Sequence, residues 1–186
     1  TANDSTAVGY NALALDTGGS NTAVGSGALD ANTTGTNSVA VGYGALGVAT
    51  DAGDNTAVGS LALASENSQT GNTAIGRQSF TASNGGQYNS GLGHRTGANV
   101  TTGDKNTFLG AFVGDAVSSG LSNLAIGYDA DVTTATSSNQ MNIGGLLWSD
   151  GVSTAAGSAI STGGLGLGGM PAAGTLLSIE TGGAGR

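Results

Sequence analysis

A glycine recurs at Gly9, Gly25, Gly42, Gly59, Gly76, Gly93, Gly110, Gly127 and Gly144, one step of 16 residues followed by seven of 17. That period is too short for helical-hairpin repeats, and the residues between the glycines lack the 3.6-residue apolar spacing of a helix. A β-type unit remains. Such a unit carries only two or three apolar side chains and buries none of them alone, so successive units must stack.

Aligning the units on the glycine gives each column a character. The residue before it is always a branched aliphatic: Val8, Val24, Val41, Val58, Ile75, Leu92, Leu109, Ile126 and Ile143. This column is expected to face inward. Strand alternation then turns the preceding column, Ala7, Ala23, Ala40, Ala57, Ala74, Gly91, Phe108, Ala125 and Asn142, the other way, as a small-residue face that a neighbouring chain approaches. Three before the glycine stands a β-favouring column of Thr6, Thr22, Val39, Thr56, Thr73, Ser90, Thr107, Leu124 and Met141. Four before it, Asn21, Asn55, Asn72, Asn89, Asn106 and Asn123 predict an in-register asparagine ladder.

Four residues after the glycine, Leu13, Leu29, Leu46, Leu63 and Phe80 follow Ala12, Ala28, Ala45, Ala62 and Ser79, and read as a second strand-like piece of each unit. Turn pairs such as Thr17-Gly18, Thr34-Gly35 and Thr102-Gly103 close the units. Gly97, Gly114 and Asp131 later replace the Leu. After Asp150 the register is lost.

The expected fold is all-β: a parallel β-solenoid or β-roll of about nine 17-residue coils over 1–148, a Gly/Ser/Ala connector over 149–164, and a short β C-terminal segment over 165–186. Within that last segment Leu165 opens a strand, Met170-Pro171 a turn, and Leu176 to Ile179 a second strand. Composition agrees: 36 glycines, one proline and 4% aromatic residues suit close-packed layers of small side chains better than a conventional core. So thin an interior predicts an oligomer, and a homotrimer suits a fibre.

The chain carries a net charge of -8, and its cations are Arg77, Arg95, Lys105 and Arg186. Nucleic-acid binding needs clustered Lys or Arg to neutralise phosphates, so it is excluded, as is attraction to anionic membranes. There is no cysteine and no apolar run of membrane-spanning length. A start at Thr1 reads as a fragment or processed product.

No catalytic, cofactor-binding or metal-ligating constellation emerges, and the chain is not expected to be an enzyme. Gly164, Gly166 and Gly169 match the dinucleotide fingerprint in letters alone; in a chain this rich in glycine the match is nearly free, and Pro171 stands where a helix should begin. His94 is the only histidine and has no Cys or Ser partner for a triad. Asp51, Asp54, Asp115, Asp129 and Asp131 lie in turns without an EF-hand or GGxGxD loop, so they read as solvated acids. The Asn3, Asn32 and Asn99 sequons arise readily in a Ser/Thr/Asn-rich chain, and the Thr pairs do not form the regular TxT array of an ice-binding face. Tyr10, Tyr43, Arg77, His94 and Tyr128 share the column after the glycine. They form a stripe that either fills a subunit interface or contacts a partner such as a host surface glycan or receptor.

The units NTAVGSGAL (21–29), NSVAVGYGAL (37–46) and NTAIGRQSF (72–80) resemble the shaft repeats of phage tail fibres, of NTAIGYNAL type, and the related SVAIG-type β-roll heads of trimeric autotransporter adhesins. NQMNIGGLL (139–147) and LGLGGMPAAGTLLSIE (165–180) look like the NIGG and VGIGTxxPxxxLxI segments of the phage fibres, in which a self-cleaving chaperone domain often follows. The resemblance covers about 5 to 180. It implies a trimeric parallel β-roll in the tail or head fibre of a virion, in contact with other virion or fibre proteins, giving reach and rigidity for host attachment. The alternative is a bacterial surface adhesin or extracellular filament subunit on the same roll.

Overall fold

The computed structural model describes residues 4–65, 67, 69–149 and 165–167. These residues form a β-solenoid without helices. Nine parallel strands follow one another in sequence order: β1 (Thr6–Val8), β2 (Thr22–Val24), β3 (Val39–Val41), β4 (Thr56–Val58), β5 (Thr73–Ile75), β6 (Ser90–Leu92), β7 (Thr107–Leu109), β8 (Leu124–Ile126) and β9 (Met141–Ile143). The pairing keeps the repeat columns in register, Thr22 against Val39, Ala23 against Ala40 and Val24 against Val41. With strands about 4.8 Å apart, eight such steps make a rod about 40 Å long.

Each coil contributes one strand, not two. The second apolar segment is a turn, because Leu13, Leu29, Leu46, Leu63 and Phe80 all hold left-handed backbone, with φ between 49° and 52°. These residues still belong to the stack: Leu29 N–H donates to Ala45 O at 3.1 Å, Leu46 to Ala62 O at 3.0 Å and Leu63 to Ser79 O at 3.0 Å. Their side chains lie in the interior, with Leu29, Leu46, Leu63 and Phe80 fully buried.

The strand faces are the reverse of the sequence expectation. Ala23, Ala40, Ala57, Ala74 and Ala125 are fully buried, whereas Val8, Val24, Ile75, Leu92 and Leu109 are between 37% and 57% exposed. Alternation distinguishes the two columns but does not say which is inside. The interior is decided by the tight turns, which fold the Leu column back over a three-residue strand and leave space there for a methyl group.

The corner glycines explain the period. Gly59 holds φ +138°, and a Cβ there would lie 2.5 Å from the backbone carbonyl of Gly76 in the next coil. Backbone cannot give way as a flexible side chain does, so both the conformation and the close approach demand glycine at each step from Gly9 to Gly110, and at Gly127 the conformation does so. Gly144 differs, with φ +56° and open space around it. It forms, with Gly145, a turn that sends the chain back antiparallel as β10 (Leu147–Ser149), pairing Leu147 with Ile143. The ninth unit thus supplies a strand and a reversal instead of a coil, and the solenoid makes about eight turns. A further strand, β11 (Leu165–Leu167), pairs antiparallel with β10. The 150–164 part of the connector and the turn and strand expected beyond Leu167 lie outside the described residues.

Toward the C-terminus the interior is rebuilt. Gly97 and Gly114 occupy the Leu column with φ +59° and +74°, and a Cβ on them would lie 2.7 Å from Phe80 Cδ1 and 2.6 Å from Phe108 Cδ2 respectively. Gly91 likewise clears the Phe80 ring, whose Cε2 would lie 2.6 Å from an added Cβ. The two rings stand 6.0 Å apart, and buried Val100, Val113 and Val117 complete the filling.

Candidate functional site

The asparagine column is structural in its geometry. Asn21, Asn55, Asn72, Asn89, Asn106 and Asn123 are all buried. Each Nδ2 donates to a turn carbonyl one coil on, Asn72 to Gly86 O, Asn89 to Gly103 O and Asn106 to Gly120 O, at 2.8 to 2.9 Å. Each Oδ1 accepts a backbone N–H from the next coil, as Asn89 Oδ1 does from Asn106 N at 2.9 Å. Direct amide-to-amide bonds are present as well, Asn89 Nδ2 to Asn72 Oδ1 at 3.2 Å and Asn106 Nδ2 to Asn89 Oδ1 at 3.1 Å. The asparagines therefore clamp backbone first and each other second. Ser38 interrupts the series and accepts from Asn55 N–H through its hydroxyl at 3.3 Å.

The column after the glycine is on the surface, and it divides. At the N-terminal end Tyr10 and Tyr43 are 77% and 64% exposed, with Ser26 in the coil between them. Along Ser26 and Gly27 runs an open trough of about 340 Å³ that continues past Tyr43 to Val48, Leu61 and Ala64. Asp30 lines it and has no hydrogen-bond partner among the described residues.

Further along, Arg77 and His94 meet across one coil step, with Nη1 of Arg77 donating to Nε2 of His94 at 3.2 Å. The His94 ring stands edge-on to Phe112 at 5.1 Å, Phe112 edge-on to Tyr128 at 5.9 Å, and the Arg95 guanidinium 6.0 Å from the centre of the Phe112 ring. This is a self-paired surface cluster. Sequence reasoning found Arg77, His94 and Tyr128 but missed Arg95 and Phe112, which lie one position on. The signal in the letters was Asn11, Gly27, Gly44 and Asp129 in that next column, residue types that tolerate left-handed backbone, and the structure has Leu61, Gln78, Arg95 and Phe112 left-handed there too. Consecutive residues in a tight turn do not alternate as in a strand, so both columns reach one surface.

Among the acids, Asp131 is distinctive. Burial raises its carboxyl above the ordinary value, and the negative charges of Asp115 and Asp129 add to this, while the hydrogen bond from Ala116 N–H opposes it. Its Oδ1 accepts that bond at 2.9 Å, which fixes it as a coil-to-coil link. Among the described residues no three His, Cys, Asp or Glu side chains gather as a metal site, and no helix is long and apolar enough to cross a membrane.

Comparison with protein-family models, with curated proteins and with solved structures gives no match.

Proposed function

We propose that the chain is a non-enzymatic segment of an extended fibre, assembled from three copies, whose role is reach and rigidity. The observation that carries this reading is the outward face of the sheet. Val8, Val24, Ile75, Leu92 and Leu109, together with half-buried Val41, Val58, Ile126 and Ile143, make one aliphatic row along the rod, flanked by the Thr column. A contiguous apolar strip of this kind is a protein-contact surface, since water is excluded from it only by a partner. Three copies bringing these rows to a common axis would bury all of them. The small-residue column serves the interior of each coil instead.

With its resemblance to phage shaft repeats, the fibre is assigned to a virion, where it joins other fibre proteins and holds a receptor-binding part away from the particle. Sedimentation equilibrium tests the assembly: a mass of three chains is expected, and Val58→Asp should reduce it to one. A monomeric parent would overturn the trimer. Antibodies to the chain should decorate purified virions along a fibre; decoration of bacterial cells alone would replace this assignment by the adhesin one.

A further inference from the structure

We infer that the trough between Tyr10 and Tyr43 is a binding site for a neutral saccharide, so that the rod carries a recognition site on its own side. The hydrogen-bond ladder fixes the spacing of the two tyrosines. Gly27 N–H donates to Tyr10 O at 2.9 Å and Gly44 N–H to Ser26 O at 3.0 Å, so the two tyrosines are carried on backbone two coils apart in register, about 9.6 Å along the axis. A flat ring gripped between two aromatic faces needs two van der Waals contacts, about 7–8 Å in total. A small tilt of two exposed side chains closes the difference. Ser26 in the intervening coil is small, and Gly27 beside it brings no side chain into the trough.

The chemistry of the lining selects the ligand. Tyrosine faces carry negative charge density and attract the slightly positive C–H groups on the faces of a pyranose ring, while the phenol edges stay in water. Asp30, half-buried in the lining and without a hydrogen-bond partner among the described residues, is placed to accept the hydroxyl hydrogens that such a ring presents around its rim. A carboxylate there, on a chain with net charge -8, repels sialylated or uronic sugars and favours uncharged ones. The volume of about 340 Å³ suits one or two sugar rings, at the lower end of ordinary ligand sites. The open sides leave a longer chain free to run past. Across the other coils the column carries Ser60, Ala111 and Gly145, the paired Arg77 and His94, or Tyr128 set against Phe112, so two exposed tyrosines with a small residue between them are particular to this end. The inference stands on the trough alone and does not depend on the fibre reading.

The test uses the whole chain on an array of neutral hexose oligosaccharides (glucans, mannans and galactans) alongside sialylated and uronic ones, followed by titration of the best binder. Binding to neutral members is expected. Tyr10→Ala or Tyr43→Ala should each weaken it at least tenfold and Asp30→Asn about three- to tenfold, with Tyr128→Ala unchanged. Circular dichroism and sedimentation of the variants should match the parent. Failure to bind any neutral oligosaccharide would overturn the proposal, as would binding by either trough tyrosine variant as tight as the parent's. Loss of assembly in Tyr10→Ala or Tyr43→Ala would also overturn it, because it would make the tyrosines interface residues.

Discussion

The coils around β2 to β4 and those around β6 to β8 share a backbone but fill it differently. In the first group one stacked residue per coil, Leu29, Leu46 and Leu63, fills the interior from a left-handed turn. In the second that position is Gly97, Gly114 or Asp131, and the volume comes from Phe80, the last large residue of that column, and from Phe108, Val100, Val113 and Val117 of other columns. Cores tolerate such redistribution provided that total volume is kept. The corner glycines and the buried amides are common to both groups, save for Ser38. Backbone spacing and hydrogen bonding therefore define the coil, and the apolar filling is adapted to it.

The comparison is broken most severely at a corner. Gly59→Ala places a Cβ 2.5 Å from the Gly76 carbonyl carbon and forces alanine to φ +138°. Overpacking against backbone and a forbidden dihedral together should cost about 4 kcal/mol. Gly144→Ala, with open space and only a left-handed φ to hold, should cost about 1 kcal/mol. Urea denaturation of both variants measures the gap, and equal losses would remove the close-approach explanation.

Next comes the amide column. Asn89→Ala leaves Gly103 O and Asn106 N–H buried without their partners. At about 1–3 kcal/mol for each unpaired group, a loss near 3 kcal/mol is expected. Asn89→Ser should retain part of it, as Ser38 does by accepting from the Asn55 N–H. A loss below 1 kcal/mol for the alanine variant would show that water replaces the amide.

A third pair of variants asks whether the Leu column is held there against its backbone preference. Leu46→Ala removes a fully buried side chain and should cost about 3 kcal/mol. Leu46→Gly removes as much and more, yet at φ +50° glycine relieves strain that alanine keeps. The glycine variant should therefore be the more stable of the two, by up to about 1 kcal/mol, contrary to the usual order. The usual order would mean that the left-handed turn is unstrained.

The period, the all-β class and the parallel stacking were legible because a glycine that touches the next coil cannot be replaced, and so marks every turn in the letters. Which strand face is interior was not legible. Val41 and Ala40 alternate whichever way the coil closes, and closure depends on the left-handed turns at Gly44 and Leu46, where leucine gives no hint of its dihedral. Gly97 and Gly114 did carry that hint, since glycine replacing leucine indicates a conformation as much as a lost side chain. The Tyr10 to Tyr128 column was readable as a stripe, but not its division into a trough and a paired cluster, because Phe112 and Arg95 stand in a different column.

Ser79 sharpens the contrast from the other side. It stands where the earlier coils carry Ala28, Ala45 and Ala62, and its Oγ is buried without a hydrogen-bond partner among the described residues. Ser79→Ala should raise stability by about 1 kcal/mol by removing an unpaired hydroxyl. A thermal melt showing destabilisation would mean that the hydroxyl has a partner in solution.

The smallest effect belongs to Asp131, the residue that follows Gly97 and Gly114 in the Leu column and closes the apolar interior with a charge. Because burial raises its carboxyl in the folded chain above the ordinary 3.8, the folded state holds this proton more tightly than the unfolded state does. Between those two values the folded chain binds more protons, so stability falls as pH rises through the window, and the full penalty is present above it. Asp131→Asn keeps the Oδ1 that accepts from Ala116 N–H while removing the charge. Since the other acids shape the overall profile, the informative quantity is the variant's stability minus the parent's. That difference should grow from near zero at acid pH to a few tenths of a kcal/mol in favour of the variant at neutral pH, the carboxyl being only half-buried and screened by solvent. A difference of the opposite sign at neutral pH would mean that the ionised carboxylate strengthens its bond to Ala116 by more than its burial and its acidic neighbours oppose it.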